Sequence, residues 1–524
     1  MRNEIRLDTN DPEVVAWLEK TALPDWIRQR RWFSGDRTAT SPRLRFEELG
    51  QSPDGLILGL AATMFEPHAT TPYLLALFAM PAEEAEAIDR QARIAEIPVS
   101  FSAEKAILTD AAFSATGRQA ILRLTTGETA LGWSFGTVKG RVFERRHSES
   151  QPSDWQHDSR TLAGTEQSNT SLVYGNAAIL KLLRRPGSPG FPNPDVEIPL
   201  ALSVTTAEPL TPPVIGVIQA GDDSAGLILA TLCRFLPDAT TGWDMALKAE
   251  KAAMAAPLDA NEQTADDARL GRDLAIRTAE LHQALSRIPD NDAFAPVPIR
   301  PADLKSLSQD LKAWSRGILA KIEHRKNATG SATITQRLGQ ILRNTGIIDA
   351  VFERLDPGDR FDPDKPLFFA ARHHGDFHLG QVLWSEDLGW QVIDFEGEPN
   401  RDIEERRRKA IALRDVAGMV RSFDYAQAVT CRESNADAAQ NENARNWRDR
   451  VSDTFVHTWF AMVGDVEHEI FPLIPADYRL RKSILDAFVL EKNLYELIYE
   501  MDFRPDWIEV PLNALCELLE IDAG

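Results

Sequence analysis

The pattern of apolar and polar positions divides the chain into a front rich in strands and a back rich in helices. In the front, short apolar or alternating runs are bounded by turn residues, which is typical of β-strands. We predict strands over 44–49, 55–65, 73–80, 120–126, 171–175, 177–183, 212–220 and 226–232. Helical patterns over 81–97 and 193–204 interrupt them.

From about residue 241 onward, apolar residues recur at helical spacing. In 270–285, Leu270, Leu274, Leu281 and Leu285 form one stripe. Further helices are predicted over 304–322, 451–466 and 483–501, and polar loops over 256–267 and 431–446. We therefore predict an α+β protein with three parts, which are a small cap (1–100), a sheet-rich part (101–240) and a helical part (241–524).

Composition narrows the class of protein. The 524 residues contain 58 Lys+Arg and 79 Asp+Glu, a formal net charge of −21. General binding to nucleic acid or to an anionic membrane surface requires a cationic surface, so we expect neither. The three cysteines lie far apart and form no CxxC pair. No apolar run reaches the ~18 residues of a membrane span, and we expect a cytoplasmic protein.

The segment 373–399 carries the clearest candidate chemistry. It predicts a loop holding Asp376, a short strand after Gln381, a turn, and a second strand ending near Asp394. Phosphoryl transfer needs a carboxylate to accept the proton of the attacking hydroxyl, and oxygen ligands that hold Mg²⁺ against the phosphates. Kinase catalytic loops place the metal-binding amide five residues after the base, which is the spacing from Asp376 to Gln381. We predict Asp376 as the base, Gln381 and Asp394 as metal ligands, and His378 facing the acceptor.

A kinase also needs a strand lysine paired with a helix carboxylate beneath a phosphate-facing turn. Lys181 lies in an apolar strand pattern, and Glu197 follows in the predicted helix. The preceding turn offers backbone and side-chain donors to phosphate from Gln167, Ser168, Asn169, Thr170 and Ser171. The GxxxxGK[ST] and GxGxxG patterns are absent from the sequence, so P-loop and Rossmann functions lose their main support.

Motifs along nearly the whole chain resemble those of the bacterial maltokinases, relatives of the aminoglycoside phosphotransferases. They are LPDWIRQRRWF, EQSNTSLVYG with ILKLLRR, LGRDLAIRTAELHQAL, HGDFHLGQVLW, VIDFEGEP, LRDVAGMVRSFDYA and EKNLYELIYEMDFRPDWIEVPL. The resemblance implies an α+β, bilobal, protein-kinase-like fold with a small N-terminal α/β cap subdomain. It also implies ATP and Mg²⁺ as cofactors. In this family the kinase occurs fused or bound to trehalose synthase, which makes that enzyme an expected partner.

The resemblance implies a lining for the acceptor sugar as well. Its residues are Arg421, Asp424, Tyr425, Lys492, Tyr495 and Glu496. Helix packing by the two tyrosines, and an internal ion pair by Arg421, are equally compatible with the sequence. Glu396 and Glu398 stay open between sugar and water contacts.

The resemblance implies transfer of the γ-phosphate of ATP to the C1 hydroxyl of maltose, giving maltose 1-phosphate and ADP. Two alternatives stay open. One is a glucosamine or other amino-sugar kinase of the same fold, since glucosamine kinases share the HGD and DFE motifs. The other is an inactive kinase-like scaffold that partners trehalose synthase, which the intact Lys181, Asp376 and Asp394 disfavour.

Overall fold

The structure, a computed structural model, divides into two units that are described separately. The first unit is Met1–Ser203 with Pro212–Asp238, and the second is Val204–Thr211 with Ala239–Gly524. The residues described are 5–33, 43–65, 68–69, 72–102, 104–133, 136–143, 155, 158–162, 169–188, 191–221, 226–255, 261–288, 291–398, 401, 403–464 and 470–521.

The first unit holds five α-helices and fifteen strands within its described residues. The helices are α1 (Pro12–Trp17), α2 (Leu23–Arg28), α3 (Ala82–Ala85), α4 (Ala115–Thr125) and α5 (Pro194–Thr205). The strands are β1 (Leu44–Gln51), β2 (Leu56–Phe65), β3 (His68–Ala69), β4 (Tyr73–Pro81), β5 (Arg93–Ile97), β6 (Ala106–Asp110), β7 (Ala130–Trp133), β8 (Gly136–Val142), β9 (Ser159–Thr161), β10 (Asn169–Tyr174), β11 (Ala178–Leu183), β12 (Gly187–Ser188), β13 (Phe191–Pro192), β14 (Val214–Ala220) and β15 (Leu227–Arg234).

Two antiparallel sheets organise this unit. The first has the order β1-β2-β4-β6-β5 with β3 beside β2, and the second has the order β7-β8-β14-β15-β11-β10-β9. Strand β4 is apolar at nearly every position because both of its faces are buried. Alternate residues from Leu74 to Met80 pack with α4 and the second sheet, whereas those from Tyr73 to Ala79 pack with α1 and α2. The predicted cap and the sheet-rich part therefore share one core.

Three features differ from the predictions for the front of the chain. The segment 81–97 is mostly not helical, because only α3 and a 3₁₀ turn precede β5. The run 120–126, predicted as a strand, lies mainly in α4, whose N-cap Ser114 accepts a hydrogen bond from the Gly117 amide. A short apolar run does not distinguish a strand from a buried helix. The first sheet also continues past residue 100, through β6.

The second unit is mainly helical. Its helices are α6 (Gly242–Ala255), α7 (Asn261–Ser286), α8 (Pro301–Arg325), α9 (Ala332–Arg343), α10 (Thr345–Glu353), α11 (Ile403–Arg406), α12 (Leu413–Ser434), α13 (Ala438–Met462), α14 (Tyr478–Phe503) and α15 (Glu509–Leu518). Its strands are β16 (Thr240–Thr241), β17 (Val297–Ile299), β18 (Phe368–Ala370), β19 (Val382–Ser385) and β20 (Gly389–Val392). Helix α12 packs between α6, α13 and α14.

The two segments predicted as polar loops are largely helical. In the first, residues 261–267 begin α7 and residues 256–260 lie outside the described residues. The second consists of the end of α12, a turn at 435–437 and the start of α13. At that turn Asp437 accepts from the Gln440 amide, while the Gln440 side chain accepts from the Asp437 amide. This capping box starts a helix within a polar sequence. Across the described residues, no helix combines the length and apolarity needed to cross a membrane.

Candidate active site

A 3₁₀ turn and a β-hairpin in the second unit carry the predicted metal ligands. Strands β19 and β20 pair antiparallel, with Val382 opposite Val392. The 3₁₀ turn before them ends at Gln381, whose carbonyl accepts from the amide of Ile393 at 3.0 Å. This bond brings Gln381 beside Asp394, and the side-chain Nε2 of Gln381 donates to the Asp394 carboxylate at 3.1 Å.

Asp394 occupies a backbone conformation that non-glycine residues rarely adopt. Its φ angle is +65°, in the left-handed region. Strain of this kind persists only where the surrounding structure holds it, and it is concentrated at functional sites. The adjacent amide and carboxylate fit Mg²⁺, because this ion takes oxygen ligands and is usually held by one or two carboxylates with substrate phosphates and water. Gln381 and Asp394 would therefore hold it.

Asp376 lies on the loop that leads into this turn and is paired with Lys492 of α14. The Lys492 ammonium is 3.4 Å from Asp376 Oδ1 and 3.4 Å from Glu398 Oε1, and the Asp376 side chain is 29% exposed. Burial would raise the pKa of Asp376, but the charge of Lys492, with smaller contributions from His378 and His374, holds that pKa below its usual value. Asp376 is therefore an ionised carboxylate with an open face.

Helix α12 fixes the backbone of the loop that carries Asp376 through one of its faces. The buried Asp415 carboxylate accepts from the amides of His374 at 2.7 Å and Gly375 at 3.0 Å. Ser422 Oγ accepts from the amide of Leu379 at 3.0 Å. Between them, a Cβ at Gly418 would lie 2.5 Å from the carbonyl oxygen of Phe377, so only glycine permits this approach. Positions 415, 418 and 422 share a helix face.

Two buried histidines complete this support, and their hydrogen bonds define their tautomers. The Trp459 indole donates to His282 Nδ1 at 3.2 Å, so His282 donates from Nε2 to Asp415 at 3.0 Å. The Asp376 amide donates to His374 Nδ1 at 3.3 Å, so His374 donates from Nε2 to the carbonyl of Ile393 at 2.8 Å. His374 thereby joins the loop that carries Asp376 to the segment that precedes Asp394.

A cavity of about 400 Å³ opens beside Asp376. Aromatic residues Trp314, Phe488 and Tyr495 form part of its wall. Its remaining charged lining is mixed in sign and comprises Glu398, Arg401, Glu405, Arg406, Arg408, Lys409, Arg414, Asp415, Glu491 and Lys492. An apolar wall with convergent polar groups is the usual form of a small-molecule site. We therefore assign this cavity as the candidate acceptor site.

Of the predicted acceptor residues, the structure brings only Lys492 and Tyr495 to the cavity wall. His378 instead accepts from the Gly380 amide at 3.1 Å and so begins the 3₁₀ turn. The prediction for the other four is corrected, because Arg421, Asp424, Tyr425 and Glu496 pack between helices.

Inside the helical unit, Arg421 pairs with Asp424 and Glu496, and Tyr425 bonds to a further carboxylate. Arg421 is 1% exposed and donates to Glu496 at 2.9 Å and to Asp424. The Tyr425 hydroxyl donates to Glu500 at 2.9 Å. A buried charge is costly unless it is paired. Arg421 therefore lies between the helices with its carboxylate partners and does not face a ligand.

The predicted phosphate-binding group lies in the first unit. Lys181 stands on β11 opposite Ser171 of β10, and its ammonium pairs with Asp195 at 3.1 Å. The carboxylate in this contact is thus Asp195, at the start of α5. Glu197 lies two residues further along α5 and is half-buried, and its pairing with Lys181 stays a prediction. Asn169, Thr170 and Ser171 are buried in β10, whereas Gln167 and Ser168 lie outside the described residues.

The most important residues that sequence reasoning missed are Asp415, Gly418 and His282. All three lie in segments already noted for their motifs, and each interrupts an apolar helix with a polar or minimal side chain. Residues of the cavity wall in 401–414 were also missed, although their sequence has an unusual charge. That stretch contains six Lys or Arg in a chain of net charge −21.

Comparison with known proteins shows that the chain is similar to glucosamine kinases. No family model matches the chain. It is 26% identical over 360 residues to a glucosamine kinase of Streptacidiphilus jiangxiensis, covering 68% of this chain and 72% of the relative. It is 27% identical over 364 residues to a glucosamine kinase of Mycolicibacterium smegmatis, covering 68% and 78%.

A solved structure extends the comparison across the chain. A glucosamine kinase in complex with glucosamine, ADP and inorganic phosphate superposes with a TM-score of 0.62 at 19% identity, covering 96% of this chain and 98% of that one. The chain is an ATP-dependent phosphotransferase with a kinase-like fold. This confirms the predicted fold class, the predicted enzyme class and the use of ATP.

The finer resemblance to maltokinases is not matched by these findings, since both relatives described here are glucosamine kinases. They favour the amino-sugar alternative over maltose, and a kinase over the inactive scaffold. Trehalose synthase as a partner stays a prediction.

Proposed function

We propose that this phosphotransferase transfers the γ-phosphoryl group of ATP to a hydroxyl of an amino sugar of the glucosamine type. The observation that carries the proposal is the cavity beside Asp376, whose wall combines carboxylates, cations and aromatic rings. The kinship with glucosamine kinases supports the same acceptor.

Asp376 would act as the general base. Its lowered pKa keeps the carboxylate ionised at neutral pH, ready to orient and accept the proton of the acceptor hydroxyl. The acceptor oxygen then bonds to the γ-phosphorus, the bond to the β,γ-bridging oxygen breaks, and ADP leaves with its electron pair. Mg²⁺ bound to Gln381 and Asp394 would supply charge neutralisation at the phosphates. Lys492 holds Asp376 in place within reach of the acceptor.

The charges of the cavity support an amino sugar over maltose. Maltose is neutral and needs hydroxyl partners only, whereas an ammonium group must be matched by acceptors of negative charge. Glu398, Glu405 and Glu491 line the cavity in addition to Asp376. Each of these glutamates also lies beside an arginine, and a carboxylate has enough acceptor positions to bind both an arginine and an ammonium group. Trp314 and Tyr495 offer faces for the apolar side of a sugar ring.

The test is release of ADP with Mg²⁺-ATP against glucosamine, N-acetylglucosamine, glucose, maltose and an aminoglycoside. We expect glucosamine to be phosphorylated with the highest kcat/KM, and Asp376→Asn to lower kcat by at least 10³-fold with little change in thermal stability. Glu386→Gln is the matched control, because Glu386 is exposed in the turn of the same β19–β20 hairpin. Maltose turnover without glucosamine turnover would contradict the proposed acceptor, and near-normal turnover by Asp376→Asn would contradict the base.

A further inference from the structure

The cavity beside Asp376 concentrates positive charge in a strongly acidic protein. Six of its lining residues are cationic, namely Arg401, Arg406, Arg408, Lys409, Arg414 and Lys492. Five of these lie in one stretch of fourteen residues, 401–414. Five carboxylates also line the cavity, so its lining has a small excess of positive charge within a chain of net charge −21. Cations that carboxylates do not neutralise attract anions to such a site. An ammonium-bearing acceptor alone gives no reason for this arrangement.

Most of these cations are already matched by carboxylates. Arg401 Nε lies 2.7 Å from Glu398, and Arg414 lies 2.6 Å from Glu491. Lys492 is held by Asp376 and Glu398. The two cations with the weakest carboxylate contacts are adjacent in the sequence, Arg408 and Lys409.

Arg408 and Lys409 have little compensation from acidic groups. The nearest ion-pair contact of Arg408 is Glu405 at 3.9 Å, and its side chain is 67% exposed. Lys409 donates to the backbone carbonyl of Asp292 at 2.7 Å, and within the described ranges no carboxylate oxygen lies within 4.0 Å of its ammonium. Burial lowers the pKa of Lys409, and the nearby charge of Arg372 lowers it further, while Asp292 opposes this. A bound anion would relieve that repulsion.

A neighbouring ring adds a neutral donor or acceptor. His373 also lines the cavity, and its Nδ1 is buried without a hydrogen-bond partner among the described residues. Burial lowers the pKa of His373 to about 4, so the ring is neutral at working pH and presents one N–H and one acceptor. Trp314 lies on the same wall.

We infer that Arg408 and Lys409 form an anion subsite of the acceptor cavity, which takes a phosphate, sulfate or carboxylate group on the sugar that is phosphorylated. The inference rests on the proposed function and deepens it. The preferred acceptor is then zwitterionic, with an ammonium group facing the glutamates and an anionic group facing Arg408 and Lys409. Transfer to it follows the same bond changes at Asp376 as transfer to glucosamine.

Two measurements test the subsite. The first compares kcat/KM for glucosamine with that for glucosamine 1-phosphate, glucosamine 6-phosphate and 2-amino-2-deoxyglucuronic acid at constant ionic strength. We expect at least one charged sugar to exceed glucosamine tenfold. In the double variant Arg408→Gln/Lys409→Gln, the ratio of kcat/KM for that sugar to kcat/KM for glucosamine should fall at least tenfold. Arg407→Gln is the control, since this neighbour does not line the cavity, and it should leave the ratio within twofold.

The second measurement needs no turnover. Calorimetric titration with inorganic phosphate should show one site in the wild type and in Arg407→Gln, and at least tenfold weaker binding in the double variant. Equal phosphate binding in all three proteins would overturn the inference, as would glucosamine exceeding every charged sugar. In that last case glucosamine turnover would leave the proposed function intact. Turnover of a charged sugar without glucosamine turnover would keep the subsite and revise the acceptor.

Discussion

Helix α12 buries two opposite charges six residues apart, and they perform different tasks. Asp415 is 2% exposed and Arg421 is 1% exposed. Asp415 accepts backbone amides of the loop that carries the base, whereas Arg421 binds carboxylates of α12 and α14. Asp415 and Arg421 are therefore buried to the same extent, and they differ in the groups that they bind. A charge that binds loop backbone positions a site, and a charge that binds helix side chains joins helices.

The largest effect on kcat is expected at Asp415. Asp415→Asn replaces one charged acceptor with a donor that faces the His374 and Gly375 amides, so the loop loses two charge-assisted hydrogen bonds. We expect kcat to fall about 100-fold, because small misplacement of a base costs that much. The free energy of unfolding should fall by about 3 kcal/mol. Steady-state kinetics and urea unfolding measure both, and an unchanged kcat would end the distinction drawn here.

At Arg421 we expect a loss of stability that exceeds the loss of activity. Arg421→Met leaves Glu496 and Asp424 as buried carboxylates without their principal cation, at a cost of about 3–5 kcal/mol in the free energy of unfolding. The kcat, measured where the variant is folded, should fall far less than in Asp415→Asn. A variant of normal stability with a raised KM for the acceptor would instead restore Arg421 to the sugar site.

A third buried ionisable group, Glu250 of α6, has weaker compensation from its neighbours than Asp415 or Arg421. Glu250 is fully buried, and burial raises its pKa from 4.5 to about 8. The hydrogen bond from Thr430 and the charges of Lys251 and Arg448 lower this pKa, but their effect is smaller than that of burial. The folded state then binds more protons than the unfolded state between these values, so the free energy of unfolding should decline as pH rises from 4.5 to 8. Glu250→Gln should remove this component. We expect its Tm to exceed that of the wild type at pH 8 and to approach it at pH 5; an identical pH dependence in both proteins would show that Glu250 is ionised and compensated.

The smallest effect is expected on the exposed face of the same helix. Lys251 contacts Glu433 at 3.0 Å, with both side chains about half exposed. Water screens such a pair, so Lys251→Ala should change the free energy of unfolding by less than about 0.5 kcal/mol, with kcat unchanged. If urea unfolding showed a loss above 1 kcal/mol in the free energy of unfolding, contact distance rather than burial would determine how much an ion pair of α12 contributes to stability.

Local chemistry explains which predictions about this site succeeded from the sequence. The strand patterns around Lys181 and the hairpin after Gln381 lie where they were expected, because period-two alternation and turn residues act over a few neighbours. The placement of Gln381 beside Asp394 follows from the register of one short hairpin. The same local reasoning failed for 120–126, where an apolar run was equally compatible with the buried helix α4.

The kinase-like order of Lys181, Asp376, Gln381 and Asp394 could be predicted from the sequence, since each depends on motif spacing within a strand, loop or hairpin. Three long-range contacts required the tertiary structure: Asp415 with the loop that carries Asp376, Lys492 with Asp376, and Arg421 with the carboxylates between helices. Those contacts join residues 40 to 116 positions apart in the chain. Which face of a long helix meets a loop, and which is buried against another helix, is settled by packing and by the cost of leaving a charge unpaired.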